Sequence, residues 1–396
     1  MAKPQARLFN RQFVQLWIIN VTAMLTYYSL MVSIGPYVTE RYGASPATAG
    51  LVAGVTVIGI LVARAFSGYL WTRFTSRQLL AAGVIAIVPV VACYGIDGGI
   101  GLILVLRLVH GLGVGLIGTV SNTAVVFTLP PARRGEGIGY FTLSNIVATA
   151  IGPFGALLIV HTLGYRPLFW IEVFVAVAGL LAVWSVRPGS IPGPSAQEPV
   201  QPEGWLTTMI EPATLPLSFV MMWVSFGYAA INVDLALMTA ERGLNAYSSV
   251  FFLVYAIIVL ASRPWAGRLM DARTEHHIVY PAMAVFACGL VLIGQAATGA
   301  VLLVAAALCG LGFGNIQSAF QTAIARTTPL RRLGQANSTY FIFFDLTLGV
   351  GPYLLGLVIP TLGYRRLFDL LAVVVLVGIP LYYVAYHARQ RSAIAA

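Results

Sequence analysis

Twelve apolar stretches of about twenty residues follow one another along the chain with little between them. A membrane-spanning helix needs ~20 predominantly apolar residues. The stretches lie at about 13–38, 46–70, 78–95, 99–127, 137–161, 166–186, 212–240, 246–267, 277–297, 299–325, 334–360 and 364–387. Charged residues are only 9% of the chain and apolar residues 59%, whereas a soluble domain carries about 25% charge. So few charges cannot cover a water-facing surface. The composition excludes an ordinary soluble enzyme, a disordered chain and a nucleic-acid binder. The apolar runs are continuous and do not alternate, which excludes a transmembrane barrel. An all-α integral membrane protein remains.

The formal charge of +10 would point to an anionic partner if it were clustered on one site. It is spread over alternate loops instead. Lys3, Arg7, Arg11, Arg73, Arg77, Arg133, Arg134 and Arg187 fall on one side of the membrane, as do Arg268, Arg273, Arg326, Arg331, Arg332, Arg389 and Arg391. The other side has Arg41, Arg166, Arg242, Arg365 and Arg366. By the positive-inside bias, both termini are expected in the cytoplasm. The basic start of the chain reads as a lead-in to the first span and not as a cleaved signal. Cys93, Cys288 and Cys309 sit in apolar runs without metal or redox spacing and read as small apolar residues.

One long break, 188–211, is rich in proline (Pro188, Pro192, Pro194, Pro199, Pro202) and reads as a cytoplasmic linker. It separates an expected bundle over 1–187 from another over 212–396. The two are copies of one another at an offset of 199. Arg64-Ala-Phe-Ser-Gly68 meets Arg263-Pro-Trp-Ala-Gly267, and Gly111-Leu-Gly-Val-Gly115 meets Gly310-Leu-Gly-Phe-Gly314. Gly152-Pro153 meets Gly351-Pro352, and Leu163-Gly-Tyr-Arg meets Leu362-Gly-Tyr-Arg. One offset held over a hundred residues indicates duplication. Six spans per copy is an even number, so both copies enter the membrane the same way, as parallel six-helix repeats.

With these repeats the chain resembles the major facilitator superfamily. The loop after the second span, Gly68-Tyr-Leu-Trp-Thr-Arg73-Phe-Thr-Ser-Arg77, matches the family's gating loop at Gly68, Arg73 and Arg77, with Thr72 in place of its acid. The second copy, Gly267-Arg-Leu-Met-Asp271, has the acid. Arg107-Leu-Val-His110-Gly-Leu-Gly is similar to the family's proton-coupling motif, with His110 at a Gln position. The fifth span carries Gly152-Pro153-Phe-Gly155, which looks like the antiporter motif of exporters. The implied neighbours are the twelve-span drug:proton antiporters, with AraJ-like efflux permeases as the nearest subgroup. The resemblance implies gating roles for Gly68, Arg73, Arg77, Gly152, Pro153, Gly267 and Asp271. It implies no cofactor.

The residues support physical readings of their own. Arg107 lies at bilayer depth, where a charge costs ~2.5–3.5 kcal/mol even on a lenient insertion scale, so it should face protein or water. The bland alternative is snorkelling to an interface. His110 shares its helix face and is either a proton carrier or a satisfied core histidine. Asp234 and Asp345 are the most embedded acids and are candidates to exchange a proton. Structural pairing, with Arg263 for instance, is the competing reading. Glu172 and Asp369 are expected at interfaces, because the family places spans six and twelve outside its core.

Polar side chains on spans one, four, seven and ten, which line the family's cavity, are candidate substrate contacts. They are Asn20, Tyr27, Asn122, Tyr228, Asn232, Gln317 and Gln321. The alternative is plain interhelical hydrogen bonding. The mid-span glycines at 111, 113 and 115 resemble a nucleotide loop only on paper, since no strand precedes them, and close helix packing explains them. No metal-ligand spacing, nucleotide motif or nucleophile cluster appears, so an enzyme is not expected and an ion gradient must drive any active transport. The expectation is a monomeric, proton-coupled exporter of small amphipathic molecules. It would sit in the inner membrane and alternate access around a mid-membrane site between the bundles. The competing reading is an importer or facilitator of a polar nutrient, such as a sugar or organic anion.

Overall fold

In the computed structural model, residues 9–129, 134–186, 210–272, 274–328 and 333–395 are described. The first six helices are α1 (Arg11–Tyr42), α2 (Pro46–Arg73), α3 (Ser76–Cys93), α4 (Gly99–Thr128), α5 (Arg134–Leu163) and α6 (Tyr165–Trp184). A 3-10 turn at Pro212–Thr214 leads into α7 (Leu215–Glu241), α8 (Asn245–Ala272), α9 (His276–Gln295) and α10 (Gly299–Thr327). The run Leu333–Ala395 holds 63 residues. At 1.5 Å per residue a straight helix of that length would measure ~95 Å, some three bilayers. Gly363, at φ 70° and ψ 165°, breaks it. We therefore label residues 333–362 α11 and 364–395 α12, and the described residues form the twelve expected spans.

The break repeats a feature of the first copy. Gly164, between α5 and α6, has φ 88°, so both Leu-Gly-Tyr-Arg sequences turn on a left-handed glycine, a conformation that a Cβ disfavours. Side chains seal other ends. Thr75 and Gln78 form a reciprocal capping box at the start of α3, which satisfies two otherwise orphaned amides. At the far end of α9, Arg242 donates to the carbonyls of Ile293, Gly294 and Ala296 at 3.0–3.2 Å, a favourable place for a cation. Arg326 on α10 reaches Glu275 at 2.9 Å and the Met270 carbonyl at 2.6 Å, which ties α10 to the ends of α8 and α9.

The helices have apolar outer faces. Trp170, Phe174, Leu181 and Trp184 on α6 are exposed, as are Val373, Val384 and Tyr383 on α12. Apolar surface this continuous suits lipid and not water.

The chain divides into two compact units. One comprises Met1–Met31 with Val55–Pro199, the other Val32–Gly54 with Val200–Ala396. In the first, α3 packs on α4 and α6, and α5 on α4 and α6. The glycines of α4 make this possible. A methyl at Gly111 would strike the Thr56 carbonyl, and one at Gly113 would crowd Gly83 and Ile87. In the second unit, Gly310 and Gly312 of α10 lie as closely against Tyr255 of α8 and Phe286 of α9. The glycine runs are thus helix-packing surfaces. The second unit also takes in the end of α1 and the start of α2. Methyl groups at Gly50 and Gly54 would collide with the backbone of Pro352 and Gly349 on α11.

Most of the linker (187–209) and the basic segments at 130–133 and 329–332 lie outside the described residues. Its last residue is already part of the fold. Glu211 is buried, and its amide donates to Thr339 Oγ1 at 2.8 Å.

Candidate functional site

In the first unit, four helices bring polar groups together away from solvent. Arg107 and His110 on α4 have no exposed surface, and Tyr94 at the end of α3 and Glu172 on α6 have almost none. Arg107 and Glu172 both act electrostatically on the Tyr94 hydroxyl. The Tyr94 ring stacks on Phe169, one turn before Glu172, at 5.8 Å, and meets the His110 ring edge-on at 6.4 Å. Ser29 of α1 hydrogen-bonds Glu172. His110 Nε2 lies 3.0 Å from Thr26 Oγ1, whose own hydrogen goes to the Ala23 carbonyl at 2.8 Å. Nε2 therefore carries the ring proton and donates to Thr26.

Glu172 corrects the expectation of an interfacial position. It belongs to the buried stripe Leu168, Phe169, Glu172, Ala176, Gly179 and Val183 of α6, spaced at three to four residues, which puts it on the face turned toward α3. The reading of Asp369 fits better, since Gln295 donates to it at 3.3 Å in a partly exposed setting. Nothing in the sequence near Glu172 marks it as a neighbour of Tyr94. That neighbourhood is visible only once α3 and α6 pack together.

In the second unit, Asp234 on α7 is fully buried and neither carboxylate oxygen has a hydrogen-bond partner among the described residues. Asp345 on α11 is 8% exposed and acts on the Tyr340 hydroxyl, as does Arg263 of α8 with the opposite charge. Tyr340 also hydrogen-bonds the Gln321 side chain. An aromatic stack fills the space beside them. Tyr228 lies 4.3 Å from Phe313 at 11°, flanked by Tyr255 and Phe344.

A cavity of about 450 Å³ lies among α8, α10 and α11, lined by Arg263, Ala266, Gly267, Met270, Ser318, Gln321, Thr322 and Asn337. Of the polar candidates from the sequence, Gln321 reaches this cavity. Gln317 is half-buried one turn earlier, and its backbone oxygen accepts from the Tyr340 hydroxyl at 3.4 Å.

The other candidates have different surroundings. The Asn20 amide donates to Ser144 and Asn145 of α5 at 2.8 and 3.0 Å. Asn122 and Asn232 donate to carbonyls of their own helices, those of Gly118 and Tyr228. Tyr27 is buried against Tyr28, and Tyr228 stands in the aromatic stack.

Among the gating candidates, Gly152 packs against α1, where a methyl would lie 3.0 Å from the Tyr28 side chain, and its carbonyl accepts from Ser29 at 3.2 Å. Pro153 follows within α5. Arg73 is exposed at the end of α2, and Arg77 is half-buried in the first turn of α3. Gly267 lines the cavity. The burial of Gly68 and the side chain of Asp271 are outside what the structure describes. Among the described residues, no group of His, Cys, Asp and Glu could hold a metal ion.

Known proteins match this arrangement along the whole chain. An uncharacterised MFS-type transporter of Burkholderia mallei is 25% identical over 364 residues, covering 90% of this chain and 87% of the relative. The multidrug resistance protein MdtG of Escherichia coli is 23% identical over 362 residues, covering 88% of each. Among solved structures, a POT family transporter bound to a thioalcohol-conjugated peptide superposes with TM-score 0.80 at 14% identity, over 94% of this chain and 96% of that one. A bacterial homologue of the lysosomal transporter Spinster, inward-facing, gives 0.75 at 15% over 98% and 99%. At such identities the structures speak for the fold alone. The sequence pattern of the Major Facilitator Superfamily matches residues 16–346, and a second match covers 299–395. With its twelve helices, its duplicated halves and that match, the chain belongs to the major facilitator superfamily, as a secondary transporter and not an enzyme.

Proposed function

We propose that this transporter exports small amphipathic molecules in exchange for protons. The observation that carries the proton coupling is Asp234, a carboxyl group buried in a helix bundle with no hydrogen bond to either oxygen among the described residues. A bare carboxylate in such a place is far too costly. It needs a proton or a cation, and a group that takes a proton in one conformation and gives it up in another is what coupling requires. Asp345, and His110 beside Arg107, are further stations for the same proton. The Gly152-Pro153 motif and the likeness to MdtG, whose name is that of a multidrug resistance protein, support export. We place the protein in the inner membrane with both termini in the cytoplasm, on the strength of its loop charges. The functional unit is taken to be the monomer. The experiment is transport in proteoliposomes with an imposed pH gradient, screened over amphipathic compounds. Substrate accumulation that follows the gradient and carries a measurable proton counterflux is the expected result. Accumulation indifferent to the gradient overturns it.

A further inference from the structure

The cavity among α8, α10 and α11 has an unusual balance of charge. Arg263 lines it, and none of the described lining side chains is acidic. The Arg263 Nε makes no hydrogen bond among the described residues. Its ionisable neighbours are the Tyr255 and Tyr340 hydroxyls. The Asp345 carboxyl group acts on Tyr340 and is not part of the lining. Around Arg263, the cavity presents uncharged side chains that carry hydrogen-bond donors, namely Ser318, Gln321 and Asn337, while the Thr322 hydroxyl donates to the Ser318 carbonyl of its own helix at 2.9 Å. Met270 and Ala266 supply an apolar wall. A guanidinium with neutral donors beside it is the arrangement that holds an oxyanion, because its planar fork meets two oxygens at once. About 450 Å³ is enough for a small organic molecule and lies in the ordinary range for such sites.

We propose that this cavity binds the anionic group of an amphipathic organic anion, with Arg263 as the charge partner and Gln321 and Asn337 as neutral donors beside it. The proposal rests on the transport reading and narrows its substrate class to carboxylates, sulfonates and phosphate esters with an apolar body. A lipid headgroup carries the same chemistry, so the test must separate the two sources.

The test is equilibrium binding to the full-length protein in phosphatidylcholine nanodiscs, with no gradient applied. The probes are dansylglycine, an anion, and dansylcadaverine, a cation with the same fluorophore. Arg263→Gln is expected to weaken dansylglycine binding by about tenfold or more and to leave dansylcadaverine unchanged. Arg263→Lys should fall between, because an ammonium keeps the charge and loses the fork. Arg64→Gln, at the repeat-equivalent position, should leave dansylglycine binding as it was. The proposal fails if wild-type protein does not bind dansylglycine, or if an Arg263→Gln variant with a normal unfolding midpoint binds it as the wild type does. Adding phosphatidylglycerol to the nanodiscs should not displace the probe. Displacement by phosphatidylglycerol from wild type would assign the cavity to a lipid headgroup and overturn the substrate reading. Binding is measured without a proton gradient, so a failure of proton coupling would leave this result standing, and the reverse.

Discussion

A guanidinium with no exposed surface, as at Arg107, depends on the polar groups around it. Arg107 acts on the Tyr94 phenol and the His110 imidazole, and the Glu172 carboxyl acts on the same phenol. We expect Arg107 and Glu172, which both act on the Tyr94 hydroxyl, to balance each other's charge, and removing one of two such buried charges costs ~3–5 kcal/mol. Glu172→Ala should therefore lower the unfolding midpoint sharply. The double variant Arg107→Met/Glu172→Leu should recover much of the loss, because both charges leave together. Thermal unfolding of the two single variants and the double variant measures this, and strict additivity would show that the residues do not interact. For transport, Arg107→Ala should abolish gradient-driven accumulation in protein that still inserts, and Arg107→Lys should rescue it poorly. Asp234→Asn keeps the shape of the side chain but fixes it in the uncharged form. It should stop proton-driven accumulation while allowing substrate to exchange down its own gradient. Proton flux on adding substrate separates the cases. A wild-type flux in Asp234→Asn, in Asp345→Asn and in the double variant would remove both acids from the coupling scheme.

At the scale of elements, these helices meet backbone to backbone. Where a glycine touches a side chain, the neighbour can shift when a methyl is added. Gly54 instead faces the carbonyl of Gly349, and Gly50 that of Pro352, and backbone in a helix cannot give way. Overpacking of this kind costs ~1–3 kcal/mol. Gly54→Ala should push the start of α2 off α11, with a lowered unfolding midpoint and altered transport. Gly155→Ala is the control, because a methyl there meets nothing within 4 Å and should leave stability within about 0.5 kcal/mol. Both glycines stand in apolar helices of similar composition, so the sequence does not distinguish them. The difference lies in which helix passes over each one.

At the scale of the whole molecule, we propose that the duplicated halves alternate access by rocking one repeat against the other. The packing of residues 46–54 against α11 then belongs to one of the two states. A disulfide formed between cysteines at positions 35 and 233, where a Cβ on Gly35 would stand 3.7 Å from the Val233 side chain in ordinary contact, should hold that state. Oxidation is expected to arrest transport and reduction to restore it, read in the same proteoliposomes. Full transport by the crosslinked protein would show that this contact never opens.

Much of this was legible in the sequence because it depends on composition and on local backbone chemistry. The number of spans follows from apolar run length against bilayer thickness. The turns at Gly164 and Gly363 and the packing role of the glycine runs follow from what a missing Cβ permits. The burial of Arg107, His110, Asp234 and Asp345 follows from their depth within the runs. The partners of these residues depend on helices distant in the chain, and no periodicity encodes them. Asn20, a plausible substrate contact by position, spends its amide on α5. Glu172, which depth along its span places near an interface, lies beside Tyr94 because α6 turns that face toward α3. Arg263 lines a cavity with Gln321 because α8 and α10 pack closely at Gly310 and leave a space further along. A sequence sets how deep a charge lies in the membrane, but only the packing of helices decides which group answers it.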